Sequence, residues 1–111
     1  MTVLEEEKIE RTIRKMPETF TVLDFIEVFK VAYSEDWTRL VERLGEYGKK
    51  KGYTVTTYLS NRLDQYSQKP GSLLRPLVRY SEDRSADYRR TTKEERERFG
   101  SPWIAVFKKA H

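Results

Sequence analysis

The sequence predicts a mainly α-helical domain that closes with a small antiparallel β-hairpin. Three observations lead there. Apolar residues recur at three- and four-residue spacing through most of residues 3–67. Two short runs rich in strand formers follow, "LLRPLVRY" (Leu73–Tyr80) and "WIAVFKK" (Trp103–Lys109). Between the two regions "KPGS", Lys69 to Ser72, has the composition of a turn. The chain has 111 residues, no internal repeat, no low-complexity tract and no dividing linker, so residues 1–111 are expected to form one domain.

Each element has a local reason. Thr2 with Glu5 has the form of a capping box, and Ile9, Ile13 and Met16 continue at helical spacing until Pro17 stops the run. "TFT", Thr19 to Thr21, reads as extended. Thr21 with Asp24 starts a second helix whose inward face is Val22, Phe25, Ile26, Phe29 and Ala32. Ser34 is placed to cap a third, with Glu35 and Asp36 in its first turn and Trp37, Leu40, Val41, Leu44 and Tyr47 as its inner stripe. Gly45, Gly48 and Gly52 punctuate its exit. Thr54 caps the fourth helix, residues 54–68, which turns Val55, Leu59, Leu63 and Tyr66 inward. Pro76 puts Leu73–Tyr80 at a sheet edge or a strand start. The polar excursion before Trp103 carries a second capping box, Thr92 with Glu95, and a short helix "KEERERF" stopped by Gly100 and Pro102. Trp37 and Trp103 both fall on apolar stripes and are assigned to the core.

Composition removes several function classes. There is no cysteine, hence no disulfide and no thiolate metal site, and the one histidine is His111. A nucleophilic centre needs Ser, Cys or Lys beside a positioned base, and no Gly-rich phosphate loop is present. The carboxylate runs Glu5–Glu7 and Glu94–Glu97 read as solvated helix faces. A small nuclease would have to use Asp83, Asp87 and Glu94, and their spacing does not call for one. The expectation is a protein that is not an enzyme and has no cofactor and no metal. No apolar run approaches membrane-spanning length, and "MTVLEEEKIER" is too acidic for a signal peptide, so a cytoplasmic protein without a membrane partner is expected. Charged residues form 36% of the chain against one Asn and two Gln, a balance that suits a thermophile.

The net charge of +4 is unevenly placed. Residues 1–46 hold 7 Lys/Arg and 11 Asp/Glu, residues 47–80 hold 7 and 1, and residues 81–111 hold 8 and 6. The positive segment surrounds the fourth helix, and a local basic patch attracts polyanions by steering and counterion release. That helix is unusual on its outer side. Instead of Glu and Lys it shows Thr56, Thr57, Ser60, Asn61, Arg62 and Gln65. Asn and Gln can pair bidentately with adenine, Arg with guanine, and Ser or Thr with several base edges or with phosphate. The N-terminal turn at Thr54, Thr56 and Thr57 can offer N–H groups to a phosphate. Asp64 fits that face poorly; it lies beyond the groove, pairs with Arg62 or Gln68, or accepts from a cytosine amino group. Lys49, Lys50 and Lys51 either finish the third helix or meet phosphates. Arg84, Arg89 and Arg90 either touch the backbone or minor groove or are neutralised by Glu82, Asp83 and Asp87. Tyr53, Tyr58, Tyr80 and Tyr88 can reach phosphate or base through their hydroxyls.

In the order of its elements the chain resembles the winged helix-turn-helix family of DNA-binding domains, small archaeal transcription-regulator-like proteins in particular. The resemblance covers nearly the whole chain and rests on element order, with no subfamily motif. It implies that residues 54–68 form the recognition helix and residues 73–108 a hairpin wing with a long charged tip. It implies sequence-specific binding of double-stranded DNA, transcriptional regulation and association with the nucleoid. The implied contacts are Thr56, Thr57, Ser60, Asn61, Arg62 and Gln65 in the groove, with Lys49, Lys50, Lys51, Arg84, Arg89 and Arg90 on the backbone. The chain departs from the pattern in two places. Residues 32–51 add a helix or lengthen the second one, and the excursion is long for a wing. The alternative is a winged-helix module that binds RNA or a protein partner, with the acidic N-terminal half as the docking surface.

Overall fold

The computed structural model of the chain describes residues 4–45, 54–78 and 87–110. The expected Thr2 cap, Tyr47, the lysines Lys49, Lys50 and Lys51, Tyr53, Tyr80, Arg84 and its acidic neighbours Glu82 and Asp83 lie outside them. The described residues are mainly helical, with small antiparallel two-stranded sheets. In chain order they run α1 (Glu6–Arg14), β1 (Thr19–Phe20), α2 (Val22–Ala32), α3 (Ser34–Leu44), α4 (Val55–Ser67), β2 (Tyr88–Arg90), α5 (Lys93–Phe99), β3 (Trp103–Ala105) and β4 (Phe107–Lys108).

The stripes read from the sequence make the core. Ile9 and Ile13 of α1, Val22, Phe25, Ile26 and Phe29 of α2, and Val55, Leu59 and Leu63 of α4 are each at most 3% exposed. Phe25 stacks on Phe29, with ring centroids 5.7 Å apart. Ala32 is exposed, so the inner face of α2 ends at Phe29. The Thr21–Asp24 box forms with both of its reciprocal bonds, and so does Thr92–Glu95 at α5. Ser34 does not cap α3. It is the first helical residue, and α2 passes into α3 through a backbone break at Tyr33 (φ −132°, ψ 60°). The Tyr33 N–H still bonds the Phe29 carbonyl and the Trp37 N–H bonds the Tyr33 carbonyl, so the break keeps its backbone groups satisfied without a side-chain cap. The extra segment is therefore a separate helix, tied to α1 by Lys8 Nζ on Asp36 Oδ2 at 2.8 Å.

The strands depart further from expectation. The sequence predicts that Leu73–Tyr80 pairs antiparallel with Trp103–Lys109 as a hairpin with a long tip. Among the described residues that pairing is one antiparallel bridge, Leu74 with Lys109, flanked by bonds from Arg75 N–H to the Lys108 carbonyl and Ala110 N–H to the Leu73 carbonyl, both 2.8 Å. The reason lies in the next residues. Pro76 has no N–H, and both backbone groups of Leu77 are taken by side chains of α4: its N–H by Ser67 Oγ at 3.0 Å, its carbonyl by Gln68 Nε2 at 2.9 Å. The other run splits at Val106. Its first half, β3, pairs with β2, and its second half, β4, pairs with β1 through Thr19–Lys108 and Phe20–Phe107. Strand β2 comes from inside the charged excursion, where the sequence reading placed no strand.

Asp87 joins these pieces. Its N–H bonds the Val78 carbonyl and its own carbonyl accepts the Val106 N–H, both at 2.8 Å. Its carboxylate accepts the Val78 N–H and the Lys108 ammonium, both at 3.0 Å. Helix α5 then lies back toward α2, with Arg98 3.7 Å from Glu27. Trp103, expected in the core, is 39% exposed. It sits opposite Arg90 in the β2–β3 ladder, with the guanidinium 5.4 Å from its ring centroid. Ile104 and Ala105 of β3 are both buried, and Trp103, at its start, is the outward residue.

Candidate nucleic-acid interface

Helix α4 is held from two sides. Tyr58, Arg62, Tyr66 and Lys69, at spacings of 4, 4 and 3, face α1. The Tyr58 hydroxyl accepts the Leu4 N–H at 3.3 Å, and Arg62 Nη2 donates to the Leu4 carbonyl at 2.8 Å. Together they clasp the residue that leads into α1. Arg62 Nε is buried without a hydrogen-bond partner among the described residues, so the side chain is spent on this contact at some desolvation cost. The Tyr66 hydroxyl donates to Glu10 Oε2 and accepts the Leu73 N–H, both at 2.9 Å. Burial, with Glu10 beside it, pushes the phenol up to about 12, so it remains a donor at any ordinary pH. Lys69 pairs with Glu6.

On the opposite flank a polar cluster grips the segment after the turn. Asp64 is 6% exposed and accepts from Gln68 Nε2 at 3.2 Å. Ser67 is fully buried, donating to the Asp64 carbonyl at 2.6 Å while it accepts the Leu77 N–H. The residue that fitted the exposed face poorly is thus a buried one, paired with Gln68 as one of the sequence alternatives had it.

Thr57, Ser60 and Asn61, half-buried, and Gln65, exposed, form the remaining face. Two residues leave the expected set. Thr56 is 5% exposed and lines a cavity shared with Leu23, Ile26 and Arg98, and Arg62 belongs to the α1 clasp. The helix N-terminus is also less open than expected. The Thr54 hydroxyl accepts the Thr57 N–H at 3.4 Å and the Gly45 carbonyl accepts the Val55 N–H at 2.9 Å, so two of the first donors are already used. Gly45 reaches that position with φ 79°, a backbone region that favours glycine.

The arginines of the excursion divide. Arg89 makes a bidentate pair with Glu95, at 2.8 and 2.7 Å. The hydrogen bonds from Arg89, helped by the Thr92 N–H, hold the Glu95 carboxyl down to about 2. Of the two alternatives for the excursion, Arg89 follows internal neutralisation, although its partner is Glu95 rather than the acids before it. Arg90 is exposed over Trp103. Sequence reasoning missed Asp87 as a structural junction. The signal available was the aromatic and β-branched run after it, Tyr88 to Thr92, which marks a strand start.

No helix of the described residues is long and apolar enough to cross a membrane. No cluster of three or more His, Asp or Glu among them could hold a metal ion. No family model, curated protein or solved structure matches the chain.

Proposed function

We propose that the protein is a winged helix-turn-helix domain that binds double-stranded DNA sequence-specifically, with α4 as the recognition helix, and that it acts in transcriptional regulation. One observation carries the reading. Both flanks of α4 are bonded into the fold, and its outer face carries Thr57, Ser60, Asn61 and Gln65, short side chains that can read base edges. A reader of bases needs such a rigid backing, because a helix free to roll would lose the register that specificity requires. The strand order supports the same reading. β4 lies between β1 and Leu74, which brings the chain after α4 back against the strand after α1, as a winged helix requires.

The contact set is narrower than the sequence suggested: Asn61 and Gln65 for bases, Thr57 and Ser60 for bases or phosphate. Arg90 is the described cation of the wing best placed to reach outward. Lys49, Lys50, Lys51 and Arg84 remain phosphate candidates on charge alone.

Duplex selection from a random pool tests the reading, followed by affinities of Asn61→Ala and Gln65→Ala for the selected and a scrambled site. The expected loss is about 1–3 kcal/mol on the selected site and much less on the scrambled one. No duplex binding at low salt would remove the reading and leave the protein- or RNA-contact alternative. The bidentate Arg89–Glu95 pair favours that alternative to one extent: part of the wing's positive charge is already neutralised within the chain.

A further inference from the structure

A half-open cavity of about 280 Å³ lies between α2, the start of α4 and α5. Its floor is Leu23, Ile26 and Val55, each at most 4% exposed, and Trp37 supplies an aromatic wall. Protein interiors are close-packed, so an apolar floor of this kind is normally filled by its own neighbours. Glu97 and Arg98 of α5 line it without filling it, and α5 is tied by the Arg89–Glu95 fork at its start and by Arg98 near Glu27 at its end.

Its polar lining is Lys30, Thr56, Glu97 and Arg98, and two of these, Thr56 and Arg98, point to what the space accepts. Thr56 lines the cavity at 5% exposure, and its hydroxyl makes no hydrogen bond among the described residues. A buried hydroxyl is ordinarily satisfied, so one facing an open space is a ready donor. Arg98 lines it too, and its ion-pair neighbour among the described residues, Glu27, is 3.7 Å away, beyond hydrogen-bond length. Glu27 is already engaged more closely by Lys30, at 2.5 Å. The guanidinium therefore keeps a planar pair of donors, the geometry that takes a carboxylate in two parallel bonds.

We propose that this cavity binds a small aromatic monocarboxylate. The ring lies on Leu23, Ile26 and Val55 against Trp37, and the carboxylate reaches Arg98 and the Thr56 hydroxyl. The volume sets the size: pockets for drug-sized ligands span about 300–1,000 Å³, so this one takes a single ring. The proposal is independent of DNA binding, and its test contains no DNA.

The chain has two tryptophans, so Trp103→Phe leaves Trp37 as the sole indole reporter. Benzoate titrated into that variant should change Trp37 emission saturably. Benzamide, which has the ring without the charge, and acetate, which has the charge without the ring, should each bind about tenfold more weakly or worse. Arg98→Gln should lose about tenfold in benzoate affinity, and Val55→Phe, which fills the floor, should abolish binding with the helical circular dichroism retained. If Trp103→Phe does not fold, methyl chemical shifts of Leu23 and Ile26 in the parent protein report the same titration. No saturable response to benzoate up to roughly 10 mM overturns the proposal. Equal affinity for benzamide also overturns it, because the site would then be apolar and indifferent to charge.

Discussion

One of the expected base contacts is spent within the fold. Asn61 and Arg62 are neighbours in the middle of α4, and both read as base contacts. Arg62 instead holds the Leu4 carbonyl. Its loss should lower stability by about 1–2 kcal/mol, the usual worth of a hydrogen bond from a charged group at a partly exposed site. Gln65→Ala, at an exposed position of the same helix, should stay within about 0.5 kcal/mol. Thermal melts of the two variants separate them, and an Arg62→Ala protein as stable as its parent would show that the Leu4 clasp contributes nothing. Asp87 is the second case. Asp87→Ala takes the acceptor from the Val78 N–H and the partner from Lys108. A cost of about 1–2 kcal/mol is expected, limited because water can reach the exposed Val78. Asp87→Asn should recover part of it, since its amide oxygen still accepts one bond; equal losses in the two variants would leave the carboxylate no role beyond charge.

At the scale of elements, α5 is a seven-residue helix with no buried residue. Such a helix is marginal alone, so its position depends on its capping box and on the Arg89–Glu95 fork. The fork makes that position pH-dependent, with a definite sign. The Glu95 carboxyl is held at about 2, below the ordinary glutamate value of about 4.3 that it regains on unfolding. A depressed carboxyl contributes stability that is complete above the unfolded value and is lost as pH falls through the folded one. The attachment of α5 should thus be intact above about pH 5 and weaken from there down to about pH 2. An NMR titration of the glutamate side chains checks this: Glu95 should titrate last, and Arg89→Gln should return it to the ordinary range. A Glu95 that titrates with the other glutamates in the parent protein would mean that the fork does not persist in solution. By contrast, α2 is set by burial. Phe29→Ala should cost about 3–5 kcal/mol, because the stack on Phe25 and the surrounding core cannot close the gap.

The whole molecule is electrically divided, with a net negative first segment and a positive middle. If DNA binding uses that division, affinity for any duplex should fall steeply with salt. Each phosphate contact adds roughly 0.9 to the slope of log affinity on log salt. Replacing Lys49, Lys50 and Lys51 together with Ala should flatten the slope and weaken all sequences about equally. Asn61→Ala should leave the slope alone and change the ratio of selected to scrambled affinity. An unchanged slope in the triple variant would remove the three lysines from the phosphate contacts.

The amino-acid order by itself determined the helices, because a helix is specified locally. Its apolar stripe, its Thr–Asp or Thr–Glu box and its stop residue all lie within one stretch of chain, and α2, α4 and α5 start where Thr21, Thr54 and Thr92 mark them. The inward faces followed for the same reason, with Val55, Leu59, Leu63 and Tyr66 all buried. The strands were decided by tertiary structure. A strand needs a partner, and the partners of Trp103–Lys109 are two short pieces far apart in sequence, β1 and β2, which compete with Leu73–Tyr80 for its edges. That competition turned on α4, whose Ser67 and Gln68 claim the backbone of Leu77. The candidate interface divided in the same way. Periodicity showed that α4 has an outer side, but not that the Leu4 backbone would cover one edge of it and α5 the start. Which outer residues stay open depends on elements about sixty and forty residues away along the chain, and no pattern within α4 itself contains that information.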